Sequence, residues 1–237
     1  MNMLSASSNA VLSAVFWCAI TLAVYLASLF IFRRLGSRPI FHPMVFCIAI
    51  LAVILFYTGV SVEGYQAKTG LLTWLLGPAT VALAIPLYSQ LSSVKQNGVG
   101  VLLPIVIGGL LAPILALLVV YFLPMEAGVK LSLLTKSITT PLAIETSQHI
   151  GGIPGLAVVI VIFTGIVGAV FASSIYRLLR ITSPQAQGLA LGTVAHAIGT
   201  AQGFQMSQKV GAFATLGLCI NGVLTAIVLP VIFYIVS

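Results

Sequence analysis

The chain has 237 residues, 60% of them hydrophobic, with 10 Lys or Arg against 3 acids and a net charge of +7. A soluble domain carries about 25% charged residues, and the 5% here cannot cover a water-facing surface. A soluble globular enzyme, a disordered tail and a nucleic-acid binder are excluded, because the basic residues lie scattered between apolar blocks and form no groove. The composition is that of a polytopic membrane protein embedded in a lipid bilayer.

A crossing helix needs roughly 20 predominantly apolar residues. Ordinary spans are expected at about 11–32, 40–60, 98–122 and 152–175, with a fifth near 211–235. Arg33, Arg34 and Arg38 follow the first span, whereas a cleaved leader would carry its charge before the apolar run. The first span is therefore a retained anchor with the N-terminus outside, by the positive-inside rule.

Three further segments are irregular. Residues 70–91 carry Pro78 and Pro86, residues 131–149 hold Lys136, Glu145 and His149 around Thr139-Thr140-Pro141, and residues 185–207 combine His196 with Gly188, Gly192, Gly199 and Gly203. A proline inside a helix removes a backbone hydrogen bond, and in lipid the freed groups must be satisfied by protein or cavity water. Pro78, Pro86 and Pro141 are thus the expected helix breaks. If Arg33, Arg34 and Arg38 share a side with Arg177 and Arg180, an even number of crossings separates the clusters. Five candidates lie between them, so one segment, 70–91 or 131–149, turns back. An internal echo supports a repeat: 83–90 can be laid on 142–148, with Pro78-Ala79-Thr80 facing Ile138-Thr139-Thr140. Internal repeats whose discontinuous helices meet at mid-bilayer are a common transporter plan; chance likeness between two apolar stretches is the alternative.

Lys136 is the most informative residue, since a Lys at mid-helix costs about 2.5–3.5 kcal/mol on insertion scales. With Ser137, Thr139, Thr140 and the exposed amides of a helix end it suits a small carboxylate; otherwise it snorkels to the interface along its stem. Glu145 either pairs with Lys136 across the break or shares a face with His149, four residues on, where the two could exchange a coupling proton. Thr193, His196 and Thr200 fall on one helical stripe, beside glycines that admit a second backbone closely. The three cysteines, Cys18, Cys47 and Cys219, sit in apolar blocks with no metal-ligand spacing. No catalytic motif is present and the chain contains no Asp, so no enzyme activity, cofactor or metal is expected.

Four ordered motifs, residues 78–88, Lys136-Ser137-Ile138-Thr139-Thr140-Pro141-Leu142-Ala143, Gly151-Gly152-Ile153-Pro154 and His196-Ala197-Ile198-Gly199-Thr200-Ala201, resemble the LrgB/CidB family. The resemblance runs from about residue 25 to the C-terminus and implies a single membrane domain over 1–237. It implies two functions. One is holin-like or antiholin-like modulation of murein hydrolase activity and lysis with a small LrgA/CidA-type partner. The other is transport of small monocarboxylates such as pyruvate, glycolate or glycerate, by alternating access. The family's fold is thought to resemble inverted-repeat antiporters and bile-acid symporters. Where the family usually continues Gly-Thr-Ala-Arg, this chain has Gln202; if that Arg neutralises a carboxylate in the family, the resemblance implies one charge fewer here and weaker anion binding or a different substrate.

The expectation is an all-α polytopic membrane helix bundle of about seven or eight helical segments, some discontinuous, in a bacterial inner membrane as a homo-oligomer. The residue chemistry favours the carrier, with Lys136, Ser137, Thr139, Thr140, His196, Thr200 and Gln202 as substrate-binding residues and Glu145 and His149 as proton-coupling candidates.

Overall fold

A computed structural model describes residues 2–37, 39–82 and 98–236, together with Ile85 and Tyr88. Every regular element among the described residues is helical. The chain divides into two compact units, Met1–Ala79 and Thr80–Ser237.

In the first unit α1 (Asn2–Arg34) runs through the first predicted span, and its last turn carries Arg33 and Arg34, where cations complement the helix dipole. Leu12, Val15, Phe16 and Leu26 are all more than half exposed. Such a surface is tolerable only in lipid. A 3-10 turn (Pro39–Phe41) leads to α2 (Pro43–Thr58), which stops at Gly59 in the left-handed region, φ 66°. The span expected at 40–60 is therefore shorter than a crossing helix, and α3 (Val62–Lys68) turns away from it by 107°. Against α1, the α3 ring of Tyr65 meets buried Trp17 edge to face at 5.7 Å, and its hydroxyl lies 2.7 Å from Thr21 Oγ1. Lys68 Nζ stands 5.7 Å from the centre of the Trp17 ring. Short helices α4 (Gly70–Trp74) and α5 (Leu76–Ala82) follow, and the boundary between the units falls within α5, after Ala79. Pro78 falls in the first turn of α5, where a helix has no acceptor for its amide anyway, so it breaks nothing. Pro86 and most of the 83–90 half of the internal echo lie outside the described residues.

The second unit is built from α6 (Val99–Tyr121), α7 (Ala127–Leu133), α8 (Thr140–His149), α9 (Pro154–Leu178), α10 (Pro184–Met206) and α11 (Gln208–Val236). Long apolar α6, α9 and α11 join α1 as helices able to cross a bilayer. The predicted discontinuity at 131–149 is present as the gap between α7 and α8. Helices in lipid gain little from burying apolar area against each other, so small-residue packing and interhelical hydrogen bonds must hold them. Both devices recur here. Ile138 and Ala143 pack on Ala157 and Val161 of α9, and Leu134 packs on Leu229 of α11. Leu191 and Ala195 of α10 pack on Ala172 and Tyr176 of α9. Gly192 lets α10 meet α11 backbone to backbone, since a Cβ there would stand 2.8 Å from Ala214 Cα and nearer still to the Ala214 carbonyl. Cys18, Cys47 and Cys219 are buried and outside any disulfide, as their apolar setting predicts.

Candidate functional site

Two discontinuities face each other within the second unit. The first covers residues 134–139, between α7 and α8. Here the chain makes only short-range turns, Leu134 N to Leu131 O, Thr135 N to Ser132 O and Ile138 N to Thr135 O. Thr139 then takes an extended conformation, φ −71° and ψ 151°, and α8 begins with Thr140 and Pro141. Pro141 thus opens the second half-helix instead of interrupting one, and its missing N–H costs nothing in that first turn. Ile138 is fully buried, while Ser137 and Thr139 are each 5% exposed.

The second discontinuity is a single residue. His196 has φ 40° and ψ −129° inside α10, a region that favours glycine and costs an L side chain about 1–3 kcal/mol. Compensation comes from its ring. Nε2 donates to the carbonyl oxygen of Val161 in α9 at 2.9 Å. Room for the ring exists because α9 has Gly165 at the contact, where a Cβ would come within 2.7 Å of the imidazole. Thr200 Oγ1 donates to the His196 carbonyl at 2.9 Å. The stripe expected of Thr193, His196 and Thr200 is therefore interrupted at its middle member: Thr193 lies on the first half of α10 and Thr200 on the second.

One side chain joins the two breaks. Asn221 of α11 is fully buried, and its Nδ2 donates to Ser137 O at 2.9 Å and to Thr193 O at 3.0 Å. Its Oδ1 accepts from Thr225 Oγ1 at 3.3 Å. Gly109 of α6 leaves space for that oxygen, because a Cβ there would collide with Asn221. Sequence reasoning overlooked Asn221, although an amide inside the apolar span 211–235 is itself a signal: such a group is expensive in lipid unless bonded.

By burial the predicted residues separate into two groups. Lys136 is half-buried and its Nζ donates to Ser137 Oγ at 3.2 Å. Thr139 Oγ1, Thr193 Oγ1 and Gln202 Oε1 are buried without a hydrogen-bond partner. Unpaired buried acceptors and donors are rare, and each asks for an explanation such as a bound polar ligand. Glu145 and His149 stand apart from this group. Both are exposed on α8, and His149 Nδ1 donates to the Glu145 backbone carbonyl at 2.7 Å, not to its carboxylate. Neither of the ion pairs considered for Glu145 is formed among the described residues.

The LrgB-like family model matches residues 21–235. YwbG of Bacillus subtilis (strain 168) is 34% identical over 211 residues, covering 89% of this chain and 93% of that protein. The antiholin-like protein LrgB of Bacillus cereus (strain B4264) is 30% identical over 215 residues, covering 91% and 94%. The antiholin-like protein LrgB of Bacillus anthracis (strain CDC 684 / NRRL 3495) matches to the same extent. No solved structure matches. The buried polar junction thus sits within the stretch shared with these relatives, and the chain is a multi-pass membrane protein of the LrgB family.

Proposed function

We propose that the chain carries small monocarboxylates, of the pyruvate, glycolate or glycerate type, across a bacterial inner membrane. The observation that supports this reading best is the Asn221 bridge. It ties the turns at Ser137 to the last helical turn of α10 before its break at His196, inside a bundle, with Lys136 beside one of the bridged carbonyls. Interrupted helices at membrane depth are tolerated where they line a cavity, and carriers use their free backbone groups to hold substrate and ions. In this reading Lys136 neutralises the carboxylate, Ser137 and Thr139 supply hydroxyls, and the amide end of α8 completes the anion's shell. Thr140, His196, Thr200 and Gln202 shape the remainder. Gln202 contributes an amide in place of a second cation, and Glu145 and His149 lie on an exposed face suited to proton exchange outside the anion shell. The N-terminus lies outside, and the positive-inside rule assigns both arginine clusters, Arg33 with Arg34 and Arg38, and Arg177 with Arg180, to the cytoplasm.

A second reading has its own support. The names carried by the relatives favour an antiholin-like role, and for this chain that means restraining murein hydrolase activity and lysis with an LrgA/CidA-type partner, as a homo-oligomer or mixed assembly. It requires no bound anion.

Counterflow separates the two. Proteoliposomes are loaded with unlabelled pyruvate and a trapped dye, and labelled pyruvate or glycolate is offered outside. Saturable uptake with the dye retained, lost in Lys136→Ala while that variant still inserts, is the expected result. Dye loss without saturation, or wild-type uptake by Lys136→Ala, overturns the carrier reading and leaves the antiholin-like one.

A further inference from the structure

Where α9 ends and the chain turns into α10, a cavity of about 620 Å³ opens that the junction described above does not use. Arg177 and Arg180 line it together with Ser173, Thr182 and Gln187. Among the described residues no carboxylate side chain lines it. The walls are fixed by hydrogen bonds: Tyr176 Oη donates to Gln187 O at 2.8 Å, and Gln187 Nε2 donates to Ile181 O at 2.7 Å. Arg177 gives Nε to Ser173 O at 3.4 Å, one of its five N–H donors.

Arg180 occupies this place against its backbone preference. Ile181 N bonds Tyr176 O at 2.8 Å and Arg180 N bonds Arg177 O at 3.2 Å. That pair of bonds is the Schellman closure of a helix, whose left-handed residue is ordinarily glycine. Here it is Arg180, at φ 54°. On the other side of the same helix end, away from the pocket, Leu178 and Leu179 are 81% and 62% exposed and Ile175 is 46% exposed.

We propose that this pocket binds the phosphate headgroup of an anionic phospholipid whose acyl chains enter the bilayer at the end of α9. The guanidinium pair matches a phosphodiester in charge and hydrogen-bond geometry, and basic pockets between membrane helices are suited to such headgroups. The pocket opens at the end of α9, a helix long and apolar enough to cross a bilayer, and the exposed Leu178 and Leu179 of that end mark the level of the acyl chains, so the anion met there is a lipid headgroup. This site is independent of whether the chain is a carrier.

The test uses the full-length protein in neutral detergent, titrated with phosphatidylglycerol or phosphatidylcholine while thermal unfolding and lipid retention in native mass spectrometry are followed. Phosphatidylglycerol should be retained and raise the melting temperature, and phosphatidylcholine should do neither. Arg177→Gln and Arg180→Gly should each weaken phosphatidylglycerol binding about fivefold, the worth of one cation near an anionic surface. Without lipid, Arg180→Gly should melt no lower than wild type, because glycine suits the left-handed position; it therefore decides the question even if Arg177→Gln folds poorly. Equal retention of both lipids, or undiminished phosphatidylglycerol binding by the variants, overturns the proposal. Inorganic phosphate or glycerophosphoglycerol matching the effect of phosphatidylglycerol would overturn the lipid assignment and leave a soluble phosphate as the ligand.

Discussion

Between Leu133 and Thr140 the chain leaves the helix for a short run of turns and re-enters it at Pro141, whereas α10 breaks at His196 alone with helix on both sides. The first break is held largely by its own turns and by apolar packing on α9 and α11. The second is imposed from outside, by the Val161 carbonyl that takes the imidazole and by α11 pressed against the glycines of α10. A break written into local sequence tolerates changes in its neighbours; one imposed by neighbours fails when they change. Gly192→Ala should therefore have the largest effect of any single methyl group, costing roughly 3 kcal/mol or preventing insertion, because the added carbon meets the Ala214 backbone. Gly155→Ala in α9 is the control, since nothing lies within 4 Å of a Cβ there; it should be neutral or stabilising. Denaturation in mixed micelles measures both, and equal effects would mean that α10 and α11 are not in backbone contact.

Next in size is the bridge. Asn221→Ala deprives Ser137 O and Thr193 O of their shared donor. About 2–4 kcal/mol of stability should be lost, from typical penalties for unpaired buried groups reduced for a membrane setting. Asn221→Gln should not restore it, as Gly109 leaves no room for a longer side chain. A loss below about 0.5 kcal/mol in Asn221→Ala would show that the two breaks are held independently.

His196 gives a smaller effect with a diagnostic sign. Within a continuous helix, Gly is worse than Ala by roughly 0.5–1 kcal/mol. At φ 40° the order should reverse. Both substitutions lose the bond to Val161 O, so the difference between His196→Gly and His196→Ala isolates the backbone. If Ala proves the more stable of the two, α10 is continuous at this position.

The same contrast explains what could be read in advance. Long apolar runs gave the helices that became α1, α6, α9 and α11, because twenty apolar residues have few alternatives in lipid. The break at 134–139 was legible from its cluster of Lys136, Ser137, Thr139, Thr140 and Pro141, each a poor fit to a continuous apolar helix. The break at His196 was not, since no proline marks it and its cause lies in Val161 and Gly165, some thirty residues upstream. Asn221 was missed for a related reason: its importance comes from two backbone carbonyls, Ser137 O and Thr193 O, and carbonyls leave no trace in side-chain composition. Proline marks boundaries unevenly in this chain. Pro78 and Pro141 start helices, and Pro104 and Pro113 sit inside α6 without ending it.

The smallest expected change in stability falls on the hydroxyls that neither break satisfies. Thr139 Oγ1 beside the first break and Thr193 Oγ1 beside the second are buried with no partner. Thr139 stands at the position that caps α8, yet its side chain makes no capping bond. Removing such a group takes away a desolvated hydroxyl and no hydrogen bond, so Thr139→Val and Thr193→Val should be neutral or stabilising by up to about 1 kcal/mol. Function should move the other way. If the junction holds a carboxylate, these hydroxyls are the groups it would satisfy, and losing one should raise the KM for counterflow about tenfold, as for a hydrogen bond to a charged group. Thr139→Ser, which restores the hydroxyl without the methyl, should recover uptake. A Thr139→Val protein that is stable and transports like wild type would place the anion away from the first break and leave Lys136 with Ser137 as its remaining contact there.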